Sequence, residues 1–164
     1  MLEKATHLCT PAPVAPESFL LRTHHPRDHI ATRNMAEKFA GTWKLAESEN
    51  FDDYLKAMGV GFAARQVVSR AKPTIVISVG AGGAMTIKTP RNEVTFKLGE
   101  EFEETTPNDK KTKNVISLDN GKLLQKQKWD DKEACIEREV VGHKLITKLK
   151  TGGVEAVRTF VKEA

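Results

Sequence analysis

From Thr74 to Lys162 the sequence is a succession of short stretches in which apolar and polar residues alternate, each ended by a turn signal. Alternation with a period of two indicates a strand that buries one face. Clusters of Gly, Asn, Asp and Pro are typical of tight turns, and strands joined by such turns pair antiparallel. The turn signals are Gly80–Gly83, Pro90–Asn92, Gly99, Pro107–Asp109, Asp119–Gly121, Asp130–Asp131, Gly142–His143 and Thr151–Gly153.

This pattern predicts nine strands, and an opening strand at Phe39–Glu47 makes ten. A meander of this length removes its exposed edges by closing on itself. We therefore predict an all-β fold, a ten-stranded antiparallel up-and-down β-barrel. The nine strands are Thr74–Val79, Ala84–Lys88, Glu93–Leu98, Glu101–Thr105, Thr112–Leu118, Lys122–Trp129, Lys132–Val140, Lys144–Lys150 and Val154–Lys162.

A helix-turn-helix is predicted between the opening strand and the rest of the barrel. Asn50 is a good N-cap for the first helix, and Gly59 suits its C-terminal end. The second helix is predicted at Gly61–Arg70, because Pro73 forces an extended chain after it. This pair would cover one end of the barrel as a lid. The face of the second helix expected to be buried is Ala64, Val67, Val68 and Ala71.

The composition divides the 164 residues near Met35. Residues 1–34 hold four of the seven prolines and four of the five histidines, which is typical of a solvated, extended chain. We predict a disordered N-terminal extension at 1–34 and a β-barrel domain at 35–164. His24, His25 and His29 are close in sequence, but without a rigid frame they do not predict a metal site.

Charge and cysteine content exclude several classes of protein. The net charge of +4 is too small to indicate nucleic-acid binding, and no apolar run approaches the roughly 18–20 residues of a membrane span.

The two cysteines, Cys9 and Cys135, do not make a disulfide framework, which favours a reducing compartment. His143 is expected in a turn and Cys135 on an outward face among glutamates. No catalytic constellation or cofactor is predicted.

Strand alternation places polar groups on the presumed inward faces. Arg138 and Arg158 each share a face with apolar residues of their strands, and Gln125 and Gln127 lie on the inward face of a third strand. Burying an unpaired guanidinium costs roughly several kcal/mol, because the ion loses its hydration. A dry core would therefore not tolerate this arrangement.

Two explanations remain for the inward arginines: a hydrated cavity, or a site that receives an anion. Arg binds a carboxylate through two parallel hydrogen bonds, and apolar walls suit a hydrocarbon chain. The simpler interpretation is that each Arg lies at a strand end with its stem along the surface. The pattern alone does not decide between them.

Six motifs follow one another in a fixed order along the predicted domain. They are Gly41-Thr42-Trp43-Lys44-Leu45, Asn50-Phe51-Asp52-Asp53-Tyr54-Leu55, Val60-Gly61-Phe62-Ala63-Ala64-Arg65, Ala71-Lys72-Pro73-Thr74, Phe96-Lys97-Leu98-Gly99-Glu100-Glu101-Phe102 and Gln127-Lys128-Trp129-Asp130. In these motifs the sequence resembles the intracellular fatty-acid-binding proteins of the calycin superfamily, in their heart, adipocyte, brain and myelin P2 branch. The similarity covers nearly all of residues 37–164.

The resemblance implies a clam-shaped barrel with a helical lid that carries long-chain fatty acids and is not an enzyme. In this branch two arginines and a tyrosine hold the ligand carboxylate, the second arginine and the tyrosine in an Arg-x-Tyr pattern. These positions fall on Arg138, Arg158 and Phe160, so the tyrosine hydroxyl is missing here. The residues expected in the cavity or its portal are Phe51, Tyr54, Leu55, Val60, Val68, Pro73, Asn108, Gln127 and Ile136.

The resemblance also implies a cytoplasmic monomer whose lid contacts anionic membranes transiently. Lys56, Arg65, Arg70 and Lys72 make the predicted lid basic. Some members of the family also enter the nucleus through such a patch, and Gln66 beside Arg65 weakens that expectation here.

One hairpin departs from the family pattern. Between Lys88 and Glu93 only four residues remain, where the family has about four more, including a Phe that gates the portal. We therefore expect a shorter hairpin and a less tightly closed entrance.

Three alternative functions share parts of this pattern. A cellular retinoic-acid carrier would also use two arginines, whereas retinol carriers of this fold place Gln there. Gly41 and Trp43 also fit a secreted lipocalin, but neither a signal peptide nor a disulfide pair is predicted from this sequence. A nucleic-acid-binding barrel would need exposed aromatic residues among its basic ones.

The resemblance implies that Phe160 leaves the ligand carboxylate without the hydroxyl donor that a tyrosine would supply. A hydrogen bond to a charged group contributes about 1.5–3 kcal/mol, so Phe160→Tyr should tighten fatty-acid binding. Calorimetric titration of both proteins with oleate measures the change, and an unchanged affinity would refute the assignment of this position.

Overall fold

The computed structural model describes residues 35–105 and 109–163, and the barrel predicted from the sequence is present. Ten antiparallel strands form one sheet in the order β4-β3-β2-β1-β10-β9-β8-β7-β6-β5. The predicted strand bounds agree within two residues at each end. The strands are β1 (Gly41–Glu49), β2 (Thr74–Val79), β3 (Ala84–Lys88), β4 (Glu93–Lys97), β5 (Phe102–Thr105), β6 (Lys111–Asp119), β7 (Lys122–Trp129), β8 (Lys132–Val141), β9 (Lys144–Thr151) and β10 (Val154–Lys162).

The first and last strands join the two halves of the barrel. β1 pairs with β10 from Trp43↔Lys162 to Glu49↔Val157, with an irregularity between Leu45 and Glu47. Such a bulge bends the strand and increases its twist. β1 can therefore pair with both β2 and β10 while the sheet curves around its interior.

A seam runs between β4 and β5, the two ends of the sheet. Within residues 35–105 and 109–163 these strands are not neighbours in the sheet. Side chains bridge them instead: the Phe96 and Phe102 rings stack with centroids 5.2 Å apart, and Asn92 Nδ2 lies 3.4 Å from Glu104 Oε1. The seam is therefore held by side chains rather than by a backbone ladder.

Two short helices form the lid: α1 at Phe51–Ala57 and α2 at Phe62–Arg70. Arg65 joins them, because its Nε donates to Asp52 Oδ1 at 3.2 Å and its Nη1 to the Val60 carbonyl at 2.8 Å. Gly59 ends α1 with a φ of 88°, as expected for a C-terminal glycine.

Asn50 occupies the N-cap position of α1, as predicted, but its side chain does not cap the helix. Asn50 has a left-handed φ of 62°, and its Nδ2 donates instead to the Glu155 carbonyl of β10 at 2.9 Å. Asn tolerates this conformation better than most residues. The predicted buried face of α2 is wrong: no residue of this helix is fully buried, Ala64 and Val68 are half-buried, Val67 is 57% exposed, and Ala71 just beyond the helix is exposed.

The buried apolar residues form two clusters, one at each end of the barrel. The end remote from the lid is closed by Phe39 and Trp43, both fully buried, with Trp43 Nε1 donating to the Phe39 carbonyl at 2.9 Å. The second cluster attaches α1 to the barrel and consists of Tyr54, Leu55, Met58, Val60, Trp129, Ala134 and Ala156. Buried polar groups lie between the two ends of the barrel, beside apolar residues of the first cluster such as Ile116 and Phe160.

Candidate functional site: a polar interior under the lid

Buried polar side chains of β6 and β7 form a continuous hydrogen-bonded row. Gln125 Nε2 donates to Asn114 Oδ1 at 2.8 Å, and Gln127 Nε2 donates to Thr112 Oγ1 at 3.2 Å. All four side chains are at most 5% exposed. Because buried polar groups are costly unless paired, the row makes a polar wall tolerable inside the barrel.

Arg138 points from β8 into this wall, as the alternation predicted. Its Nη1 donates to Gln125 Oε1 at 2.8 Å. Burial lowers the pKa of Arg138, whereas the nearby Glu104 carboxylate and the Tyr54 hydroxyl act to raise it. The guanidinium therefore has a partner and a negative charge nearby.

Glu104, which supplies that charge, is a site residue that sequence reasoning missed. Its Oε2 lies 3.3 Å from Gln125 Nε2, so Gln125 connects the Glu104 carboxylate with Arg138. Phe102 and Glu104 are half-buried while Glu103 and Thr105 are exposed, so alternation would have identified Glu104 as inward. The brevity of β5 and its acidic sequence obscured that pattern.

Arg158 also points inward, but it has no such compensation. The residue is 7% exposed, and its Nε and Nη2 atoms are buried without a hydrogen-bond partner. The guanidinium carbon lies 3.9 Å from the centroid of the Phe51 ring and 6.0 Å from that of Phe160. Burial lowers the pKa of Arg158 to about 10, and the group stays charged at neutral pH.

Tyr54 and Phe160 complete the surroundings of the two arginines. Both are 2% exposed. Phe160 offers only its ring to Arg158, whereas the Tyr54 hydroxyl is buried without a hydrogen-bond partner. Burial raises the pKa of Tyr54, and the positive charge of Arg138 partly opposes that rise.

Two adjoining cavities reach this group. An inner cavity of about 70 Å³ is bordered by Gln125, Arg138 and Glu104. A cavity of about 500 Å³ lies at the portal, with Arg158 at its inner side. Its volume falls in the range of roughly 300–1,000 Å³ typical of small-molecule sites. Ile75, Thr89, Asn92 and Glu104 border both cavities.

The shortened hairpin forms part of the portal. Its turn, Thr89–Asn92, is closed by a hydrogen bond of 2.7 Å from the Thr89 amide to the Asn92 carbonyl. Pro90 and Arg91 border the portal cavity there.

The other predicted cavity residues fall into groups. Val68 and Pro73 border the portal cavity. Leu55 and Val60 belong to the cluster that attaches α1 to the barrel, and Phe51 packs against that cluster. Ile136 is 8% exposed on the inward face of β8, and Gln127 belongs to the polar row. Asn108 lies outside the described residues.

Cys135 and His143 do not contribute to the interior. His143 is exposed in the turn between β8 and β9, as predicted. Cys135 was expected to be an exposed, reduced thiol, but it is 5% exposed, and no cysteine in residues 35–105 and 109–163 is free. The same residues contain no cluster of His, Cys, Asp and Glu that could hold a metal ion. None of their helices is long and apolar enough to cross a membrane.

An antiparallel barrel with a polar interior, an open portal and a helical lid defines a class of small-molecule-binding β-barrels. Residues 40–163 match the family described as lipocalin / cytosolic fatty-acid binding proteins. The chain belongs to this family.

Individual relatives support the same assignment. An adipocyte fatty acid-binding protein of Pygoscelis papua is 50% identical over 130 residues, which cover 77% of this chain and 98% of the relative. Fatty-acid-binding protein 1 of Echinococcus granulosus has a TM-score of 0.73 at 36% identity, covering 78% of this chain and 99% of its own. A Schistosoma mansoni fatty acid binding protein solved with arachidonic acid has a TM-score of 0.74 at 33% identity, covering 79% and 99%.

The uncompensated charge of Arg158 predicts a stability penalty in the ligand-free protein. Its folded pKa of about 10 lies below the ordinary value of an arginine, because burial disfavours the charged form. The penalty is therefore complete at pH values below about 10 and fades as the pH rises through that value towards the ordinary pKa of an arginine. Arg158→Met should raise the free energy of unfolding at pH 7 by about 1–4 kcal/mol, the range seen when buried ion pairs are replaced by apolar residues of similar volume.

Urea unfolding of the ligand-free proteins measures this effect. The control is Arg70→Met, because Arg70 is exposed on α2 and its replacement should change stability by about 0.5 kcal/mol or less. A marked loss of stability in Arg158→Met would show that the guanidinium is net stabilising.

Proposed function

We propose that this protein binds and transports long-chain fatty acids, with the ligand carboxylate held by Arg138 and Arg158 inside the barrel. Family membership supports a lipid-binding role. The observation that carries the assignment of the head-group site is Arg158, a buried cation with two unpartnered donor atoms beside the portal cavity.

The charge balance of the interior favours a ligand with one negative charge. Arg138 is connected through Gln125 to the Glu104 carboxylate, whereas Arg158 has no anionic partner among the described residues. One positive charge is therefore left uncompensated, and a single carboxylate would neutralise it. A carboxylate also offers about four lone-pair sites to the free donor atoms of Arg158.

The walls of the portal cavity suit an aliphatic chain. Val68, Ala71, Pro73 and Ile75 border it between the lid and β2. A chain anchored at Arg158 would bury its methylene groups against this surface, at a gain of roughly 0.8 kcal/mol for each one removed from water. The polar head and the apolar body of the ligand would thus meet complementary parts of one site.

Calorimetric titration with oleate, retinoic acid and retinol tests the proposal. Arg158→Gln should weaken oleate binding at least about tenfold, since a hydrogen bond to a charged group contributes about 1.5–3 kcal/mol. Arg70→Gln is the matched control, because it removes an exposed arginine from the lid.

The three ligands separate the competing functions. Tighter binding of retinoic acid than of oleate would favour the retinoic-acid carrier on the same fold. Equal binding of retinol and oleate would contradict a carboxylate site. Unchanged oleate affinity in Arg158→Gln would remove Arg158 from the head-group site.

We also propose that the lid contacts anionic membranes during ligand transfer. Phe62 is 68% exposed and Val67 is 57% exposed on α2. Arg70 and Lys72 lie exposed at the end of this helix and just beyond it. Apolar side chains flanked by cations suit an anionic lipid surface. Arg65 is less suited to that role than the sequence suggested, because it is engaged with Asp52.

Transfer of a fluorescent fatty acid from the protein to vesicles checks this proposal. Phosphatidylserine in the vesicles should accelerate transfer, and added salt should reduce the acceleration. Arg70→Glu combined with Lys72→Glu should abolish it without changing oleate affinity. The control is Lys144→Glu, at the end of β9 remote from the lid. The same acceleration in both variants would contradict a role for the lid.

A further inference from the structure

Three buried polar atoms lack a hydrogen-bond partner in the part of the chain that the structure describes: Tyr54 Oη, Arg158 Nε and Arg158 Nη2. Each costs stability, because a buried polar group without a partner has lost its water and gained nothing in return. Two of the three belong to the proposed head-group site. The third belongs to a lid residue for which sequence reasoning found no role beyond the cavity wall.

The three atoms belong to one cluster of contacting side chains. The Tyr54 ring stacks on Phe51 with centroids 6.1 Å apart and planes at 16°. The same Phe51 ring contacts the Arg158 guanidinium, with 3.9 Å between the guanidinium carbon and the ring centroid. The Tyr54 hydroxyl is also close enough to Arg138 and Glu104 for their charges to influence its ionisation. The hydroxyl oxygen is itself buried, so it does not point into solvent.

Packing alone does not explain the hydroxyl. Tyr54 lies in an apolar cluster with Leu55, Trp129, Ala134 and Ala156. A Phe at position 54 would fill nearly the same volume without burying an unpartnered oxygen. Because the arrangement costs stability in the ligand-free protein, it is understandable if a ligand supplies the missing acceptor.

We propose that the Tyr54 hydroxyl donates a hydrogen bond to the ligand head group, and so supplies from the lid the donor that Phe160 cannot supply from β10. This inference rests on the proposed fatty-acid function and adds a binding residue to it. The donor then comes from α1, so head-group binding and the position of the lid are coupled. A bound carboxylate would hold α1 against the barrel.

Tyr54→Phe tests the inference, with oleate and oleyl alcohol as the two ligands. It should weaken oleate binding about tenfold, the lower bound for losing a hydrogen bond to a charged group. Binding of oleyl alcohol should weaken less, because hydrogen bonds to neutral groups are about half as strong. The melting temperature of the ligand-free variant should not fall, since an unpartnered oxygen has been removed.

A rescue variant and a direct probe complete the design. Adding Phe160→Tyr to Tyr54→Phe should restore most of the oleate affinity by returning a hydroxyl to the site. The chain contains one tyrosine, so tyrosine labelled with ¹³C at Cζ gives a single NMR signal. Oleate should shift this signal more than oleyl alcohol does.

The outcomes separate this inference from the function on which it rests. Unchanged oleate affinity in Tyr54→Phe, with Arg158→Gln still impaired, would overturn the role of Tyr54 alone. Equal losses for oleate and oleyl alcohol, together with a lower melting temperature, would also overturn it, because they would indicate a packing role. Absence of oleate binding to the unaltered protein would overturn both.

Discussion

A nearly closed barrel of ten strands encloses more space than its own inward side chains fill, since barrels of about eight strands are already just filled. This constraint governs the rest of the molecule. The end remote from the lid is packed by Phe39 and Trp43, and the lid end by the cluster around Tyr54. Between them the barrel holds a hydrogen-bonded wall, two cavities and two arginines. The interior therefore contains space and hydrogen-bonding groups that the protein's own side chains do not fill or pair.

The two arginines illustrate how one fold treats equal charges differently. Arg138 is paired through Gln125 with the Glu104 carboxylate, and its energetic cost is largely met within the protein. Arg158 lies against the face of Phe51, which offers a favourable but weaker contact than a carboxylate. The difference concentrates unmet hydrogen-bonding capacity at one point beside the portal. Under the proposed function, the group that lowers the stability of the ligand-free protein is also the group that binds the ligand, a trade-off common at sites built in advance of their ligands.

Alternation and turn residues were sufficient to predict the ten strands and to place Arg138 and Arg158 on the apolar faces of their strands, because both are local properties of a strand. Whether the guanidinium groups enter the interior or follow the surface was left open, because that depends on the closure of the barrel. The failures involve contacts between distant parts of the chain. Asn50 satisfies a carbonyl of Glu155, 105 residues away, which no local pattern encodes. The orientation of the Tyr54 hydroxyl depends in the same way on how α1 docks against the barrel. Glu104 was missed because four-residue β5 offers too short a run for alternation to be recognised.

The seam between β4 and β5 sets the mechanical character of the barrel. Elsewhere neighbouring strands are joined by backbone hydrogen bonds, whose spacing is fixed by strand geometry. Across the seam the two strands are joined by the stacked Phe96 and Phe102 rings and by the contact between Asn92 and Glu104. Aromatic rings can slide and rotamers can change without breaking a ladder. The circumference of the barrel can thus adjust along the line between β4 and β5, while the rest of the wall keeps the fixed spacing of its backbone hydrogen bonds.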